Sequence, residues 1–161
     1  MTLSKDSLEW SIDFLEKHSD GDIFPKILEL SAIFAKKDEF IQLVEGKPLT
    51  EFKPKPCRRF IVPKDEISYR QATQLHPQDS ILLSALIYQF GQGIEDRRLS
   101  ADQVFSYRFL PSPDEGLYSS KTAWNDFWTT AYKKAINSTV ILICDIADFY
   151  SSEKRVKTPA F

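Results

Sequence analysis

The chain has 161 residues, of which 42% are hydrophobic and 13% aromatic, a composition that supports a folded domain and argues against intrinsic disorder. The formal net charge of -2 hides an uneven distribution, because residues 1–52 carry 6 basic and 11 acidic side chains, residues 53–110 carry 9 and 6, and residues 111–161 carry 6 and 6. No apolar run approaches the ~18 residues of a membrane span, and we find no secretory leader pattern. Two cysteines and two histidines lack the spacing of a zinc site or a disulfide framework. We therefore predict a soluble, cytoplasmic protein whose middle third is the part suited to a polyanion.

The first 52 residues predict a helical section. Apolar residues at helical spacing indicate a first helix over residues 6–18, with Ser4 or Asp6 as its N-cap. A second pattern of the same period runs from Pro25 to Gly46 and predicts one further helix. Three prolines then favour an extended connector: Pro48, Pro54 and Pro56.

The middle of the chain predicts a β-hairpin followed by a helix. Strand-like runs at residues 60–62 and 67–75 flank the turn segment Lys64-Asp65-Glu66. Pro77 then opens a third helix, which we expect to end before Gly91.

The last third combines a strand, a loop, a helix and a second strand. Residues 104–110 alternate as a strand, and residues 111–116 have the composition of a turn-rich loop. The next helix carries an aromatic stripe of Trp124, Phe127 and Trp128, which we expect to be buried because helical periodicity favours core packing over base stacking. The apolar run 139–144 predicts a strand buried on both faces. Together these elements predict an α+β fold.

Two acids follow that last strand. Asp145 lies at its exit and Asp148 three residues later. Carboxylates on a rigid element suit Mg²⁺, a hard ion that prefers oxygen ligands and bridges protein and triphosphate. Acids after a strand also commonly cap a turn or the next helix, so the spacing alone leaves both interpretations open.

The wider context resembles a known family. Asp145-Ile146-Ala147-Asp148-Phe149-Tyr150 resembles the first palm motif of reverse transcriptases, including bacterial retron, group II intron and antiphage-defence relatives. Upstream, Arg58-Arg59-Phe60-Ile61-Val62-Pro63-Lys64, then Tyr69-Arg70-Gln71-Ala72 and Asp79-Ser80-Ile81-Leu82-Leu83, resemble the fingers pattern of that family in the same order. The resemblance implies a helical N-terminal section at 1–52, a fingers-like region at 53–110 and the start of a palm at 111–150.

The resemblance also implies roles for individual residues. Asp145 would be the catalytic ligand of both metals, and the Ile146 carbonyl would complete one metal's shell. The Asp148 and Phe149 amides would touch the incoming triphosphate, and Tyr150 would lie under its sugar and reject a 2′-hydroxyl.

The fingers residues would complete the nucleotide site. Lys64 and Arg70 would neutralise triphosphate charge during phosphoryl transfer, although isolated cations of this kind are ordinarily solvated surface charges. Basic residues near the first fingers strand would extend this surface towards a template strand, unless they serve only solubility: Lys53, Lys55, Arg58 and Arg59.

The sequence departs from the family after Tyr150. No adjacent Asp-Asp pair occurs in the 161 residues, and residues 151–161 lack the family's apolar pattern, so we expect a non-native or disordered tail. Three hypotheses stay open: a truncated RNA-directed DNA polymerase, a non-catalytic nucleic-acid- or protein-binding module, and an inactive structural remnant. The complete enzyme would be a nucleotidyltransferase that uses Mg²⁺, a template-primer and a dNTP, whereas this chain alone would be inactive and would form a homodimer through its exposed palm strand.

Overall fold

A computed structural model of the chain describes residues 1–18, 24, 27–63, 66–112, 114–119 and 123–144. The helices are α1 (Lys5–His18), α2 (Leu28–Ala35), α3 (Lys37–Val44), α4 (Pro77–Glu95) and α5 (Ala123–Ile136), with a 3-10 turn at Leu49–Glu51. The strands are β1 (Arg58–Pro63), β2 (Tyr69–Gln74), β3 (Arg108–Ser112) and β4 (Gly116–Ser119).

The fold mixes helices with two separate antiparallel hairpins, β1–β2 and β3–β4. Of the residues that the structure describes, 50% are helical and 18% are in strands, which confirms the predicted α+β class. The chain divides into two compact units, Met1–Trp124 and Asn125–Phe161. None of the helices in the described ranges combines the length and apolar character needed to cross a bilayer.

The core of the first unit lies between α1 and α4, and apolar residues of α2 and α3 pack into the same core. Ser4 caps α1, because its Oγ accepts a hydrogen bond of 3.2 Å from the Ser7 N–H. The buried Ser11 hydroxyl donates to the Ile81 carbonyl at 2.7 Å, so this small polar residue joins the two helices without an unpaired group. The core residues are Leu3, Leu8, Ile12, Ile27, Leu30, Ile41, Val44, Ile81, Leu82 and Ala85.

The predicted second helix is two helices. It breaks at Lys36, whose backbone (φ -126°, ψ 39°) leaves the helical region and whose N–H donates to the Ile33 carbonyl. Leu30 on α2 and Ile41 on α3 still enter the same core. The apolar period continues across the break without a glycine or proline, so the pattern could not reveal it.

Helix α4 runs past Gly91, where the sequence predicted its end. Gly91 is buried, and a β carbon there would lie 2.6 Å from Cζ and 2.8 Å from Cδ2 of the Phe109 ring. The missing side chain therefore serves the close approach of β3 to α4, and the glycine is not a helix stop.

Strand β3 begins later than predicted because two arginines hold the preceding loop in other contacts. Arg108 donates to the Leu99 and Val104 carbonyls, and Arg98 donates to the Tyr107 carbonyl at 2.7 Å. Both guanidinium groups also bind Glu95, at 2.9 Å each.

Glu95 is the centre of this cluster. Its carboxylate accepts a 3.0 Å hydrogen bond from the Phe109 N–H as well as those from Arg108 and Arg98. The hydrogen bond from Phe109, followed by those from the arginines, lowers the pKa of Glu95 from 4.5 to about 2. The end of α4 is thereby fixed to the start of β3.

The loop predicted at 111–116 contains the end of β3 and the start of β4, a strand that the sequence did not predict. Gly116 has φ +90° and begins β4 beside the Phe14 ring of α1. The turn was recognisable, but four residues of strand after it were too few to give an alternating pattern.

Residues 123–144 correct two predictions. Helix α5 forms as predicted, but Trp124, Phe127 and Trp128 are 65%, 41% and 55% exposed, so the prediction that they are buried is wrong. Residues 139–144 form no strand, and Val140 to Ile143 are between 62% and 89% exposed. A strand needs a hydrogen-bonded neighbour, and the described residues 125–144 contain no other strand.

Candidate nucleic-acid interface

The β1–β2 hairpin carries three of the predicted basic residues, Arg58, Arg59 and Arg70. Its register pairs Arg58 with Gln74, Phe60 with Ala72 and Val62 with Arg70. Residues that lie directly opposite one another on paired strands have their side chains on the same face of the hairpin. Residues two positions apart along one strand also share a face. The hairpin therefore has two faces of different character.

The first face is half-buried in its centre and carries an arginine at each end. Phe60 packs against Phe24 with ring centroids 5.4 Å apart, while Arg58 and Arg70 are exposed. Arg70 is opposite Val62, and Val62 lies four residues after Arg58. At ~3.3 Å per residue, Arg58 and Arg70 are therefore about 13 Å apart along the strand direction. The two cations therefore sit at separate points along one face.

Arg58 has an acidic neighbour from α2. Its Nη2 lies 3.4 Å from Glu29 Oε1, and both side chains are more than half exposed. An ion pair of this kind is worth ~0.2–1 kcal/mol, so a phosphate can compete with Glu29 for the guanidinium.

The second face consists entirely of exposed residues: Arg59, Ile61, Pro63, Tyr69, Gln71 and Thr73. Ile61 and Tyr69 are 77% and 68% exposed. Arg59 is therefore on the opposite face from Arg58 and Arg70, and a nucleic acid that contacts all three must wrap around an edge of the hairpin.

The connector before β1 holds the other two candidate cations. Lys53 and Lys55 are both exposed, and the Lys55 N–H donates to Asp79 Oδ2 at 2.7 Å. Asp79 lies in the first turn of α4, so this bond fixes the connector to the helix while leaving the Lys55 ammonium in solvent.

The remaining candidate residues lie outside the described residues. They are Lys64, Asp145, Ile146, Asp148, Phe149 and Tyr150. The convergence of Asp145 with Lys64 and Arg70, which the resemblance requires, therefore stays a prediction.

In the part of the chain that the structure describes, no three His, Cys, Asp or Glu side chains are grouped as a metal site would require. The predicted Mg²⁺ ligands, the Asp145 carboxylate and the Ile146 carbonyl, lie outside that part. Both are oxygen donors of the kind that Mg²⁺ prefers.

No protein-family model, curated protein or solved structure matches this chain.

Sequence reasoning missed three features of this region. It did not separate Arg59 from Arg58 and Arg70, although the period of 2 along a strand could have done so once the register was known. It also missed Glu29 as a partner of Arg58 and Asp79 as an anchor for the connector. Neither contact has a sequence signal, because each joins residues at least 24 positions apart.

Proposed function

We propose that this chain is the fingers region and first palm motif of an RNA-directed DNA polymerase of the reverse-transcriptase type, and that its β1–β2 hairpin binds single-stranded nucleic acid. The observation that carries the proposal is the exposed hairpin with Arg58, Arg59 and Arg70, followed directly by α4. This is the order of strand, strand and helix that the motif resemblance implies.

The basic residues explain how a strand would bind. Lys53 and Lys55 precede the hairpin on the exposed connector, and together with Arg58 and Arg59 they supply four cations without an acidic residue between positions 53 and 63. Arg70 on β2 supplies a fifth. Contacts between such cations and phosphates give affinity that depends on salt but little on sequence.

In the complete polymerase, Mg²⁺ held by Asp145 and the Ile146 carbonyl would stabilise the charge of the transferring phosphoryl group. Lys64 and Arg70 would contact the triphosphate of the incoming dNTP, with Asp148, Phe149 and Tyr150 on its other side. A template-primer would bind along the basic connector and hairpin.

A non-catalytic nucleic-acid-binding module is the second candidate. The observation that favours it is that Arg58, Arg59 and Arg70 are exposed on the hairpin, because such cations bind phosphates without a metal or a catalytic group. A homodimer through residues 139–144 is compatible with either candidate.

The test is binding of a fluorescent single-stranded RNA to the chain. Arg58→Glu/Arg59→Glu should weaken binding by about tenfold or more, since two phosphate contacts become repulsive. The matched control is Lys133→Glu/Lys134→Glu, which makes the same charge change at two exposed positions of α5. Equal losses in the two variants would mean that net charge, and not the hairpin, decides binding.

In the same RNA-binding experiment, Glu29→Gln is a variant that should bind more tightly than the wild type. It removes the carboxylate that neutralises Arg58, so binding should tighten by at most about fivefold, the range of a surface ion pair. If Glu29→Gln binds more weakly than the wild type at low salt, the Glu29 carboxylate does not compete with phosphate for Arg58.

A further inference from the structure

Tyr69 is an exposed aromatic residue on the second face of the β1–β2 hairpin. It begins β2 opposite Pro63 and is 68% exposed. The aromatic ring of the first face is packed instead, because Phe60 contacts Phe24. A ring that stays in water forgoes the stabilisation that burial of its ~150–250 Å² would give. Tyr69 is therefore placed to stack on a flat ligand.

Ile61 extends the apolar surface next to Tyr69. It is opposite Gln71, which lies two residues from Tyr69 on β2, so Ile61 and Tyr69 are diagonal neighbours about 7–8 Å apart. An aromatic side chain can span that distance. Because Ile61 is also exposed, at 77%, the two side chains form an exposed apolar platform. It is large enough for one nucleobase, whereas a protein partner buries ~800 Å² and needs several anchoring side chains.

The platform lies in a cationic segment of the chain. Arg59 is on the same face, and Pro63, the residue opposite Tyr69, lies four residues after it. At ~3.3 Å per residue, Arg59 and Tyr69 are therefore about 13 Å apart along the strand direction. Residues 53–74 carry six basic and two acidic side chains. This excess of positive charge attracts a polyanion and disfavours a second copy of the same hairpin.

We propose that Tyr69, supported by Ile61, is a base-stacking platform for single-stranded nucleic acid, and that Arg59 binds a phosphate of the same strand. Every base has a flat π face, so stacking on the ring adds affinity without base preference. The bases of a duplex are stacked on one another, and the platform therefore selects single strands. The proposal rests on the proposed binding of nucleic acid by the hairpin, and it adds recognition of a base to the binding of phosphates.

The experiment compares the affinity of the 161-residue chain for two fluorescent single-stranded DNA probes of about 12 nucleotides. One is oligothymidylate, and the other is an abasic strand of the same length, which has the same phosphates but no bases. The wild type should bind oligothymidylate about fivefold or more tightly than the abasic strand, the effect of one stacked base.

Tyr69→Thr removes the ring and keeps a residue that favours a strand. It should weaken binding of oligothymidylate about fivefold or more and leave binding of the abasic strand unchanged. The salt dependence should also be unchanged, because the ring carries no charge. Tyr69→Phe keeps the ring and should bind both probes like the wild type. Arg59→Gln should weaken binding of both probes equally, because it removes a phosphate contact.

The matched control is Tyr107→Thr, which removes another exposed tyrosine ring, outside the hairpin, and should bind both probes like the wild type. Equal affinity of the wild type for the two probes, or equal losses for the two probes in Tyr69→Thr, overturns the platform. Self-association that is lost in Tyr69→Thr, in place of DNA binding, also overturns it, because the face would then bind a second copy.

The abasic strand separates this proposal from the proposed function. If the abasic strand binds as tightly as oligothymidylate and Arg58→Glu/Arg59→Glu weakens both, the hairpin binds phosphates and the platform alone is wrong. If the wild type binds neither probe, both proposals are wrong.

Discussion

Gly91 and Gly93 offer a matched pair of substitutions on one helix. An alanine β carbon at Gly91 would lie 2.6 and 2.8 Å from two atoms of the buried Phe109 ring, whereas one at Gly93 would have no heavy atom within 4 Å. Carbon atoms prefer separations of about 3.5–4.0 Å, so the ring must move by about 1 Å. The two substitutions make the same chemical change in different surroundings.

The magnitudes follow from two opposing effects. Replacing glycine by alanine in a helix stabilises it by ~0.8–1 kcal/mol, with less gain near the helix end. Overpacking a buried contact costs ~1–3 kcal/mol. We therefore expect Gly93→Ala to raise the free energy of unfolding by up to ~1 kcal/mol, and Gly91→Ala to give a value ~1–3 kcal/mol below that of Gly93→Ala.

Urea unfolding monitored by circular dichroism measures both variants. The urea concentration at the unfolding midpoint should be lower for Gly91→Ala than for Gly93→Ala. The dependence of the unfolding free energy on urea concentration should be the same in both variants as in the wild type. Equal stabilisation by the two alanines would refute the close packing of β3 on α4.

Three further outcomes can be checked. Ser11→Ala removes the buried hydrogen bond to the Ile81 carbonyl and should lower the free energy of unfolding by ~0.5–1.5 kcal/mol, as measured by urea unfolding; no change would mean that this bond contributes nothing net. Folding lowers the pKa of Glu95 from 4.5 to about 2, so its contribution to stability is complete above pH 4.5 and is lost as the pH falls through 2. Glu95→Gln should therefore have a lower melting temperature than the wild type at pH 7, and its melting temperature should depend less on pH between 4.5 and 2. A variant whose melting temperature follows the wild-type pH profile contradicts this. Purified chain should show no primer extension with Mg²⁺ or Mn²⁺, and incorporation that Asp145→Ala abolishes would contradict the non-catalytic expectation.

The local pattern predicted most elements because period and capping are encoded within each element. Ser4 at the start of α1 and the alternation around β1 and β2 are examples. What the pattern could not predict are contacts distant in sequence. Gly91 was interpreted as a helix stop, because its contact with Phe109, 18 positions away, has no signal in the local pattern. The break at Lys36 was missed because the apolar period continues across it.

Only part of the candidate site could be predicted, because its geometry also depends on residues that are distant in sequence. The identity of Arg58, Arg59 and Arg70 as exposed cations followed from the sequence, but their division between two faces required the register of the hairpin. The burial expected for the α5 stripe was wrong because an apolar stripe specifies only that a helix needs a partner.

The most direct test of the proposed interface is the salt dependence of single-stranded RNA binding. For single strands, the slope of log K against log salt is about -0.7 for each phosphate neutralised. The five described cations, Lys53, Lys55, Arg58, Arg59 and Arg70, therefore predict a slope near -3.5 at most. Arg58→Glu/Arg59→Glu should make the slope shallower by about 1.4 or more, and Lys133→Glu/Lys134→Glu should leave it unchanged. An affinity independent of salt, or the same slope in both variants, would contradict a phosphate-binding hairpin.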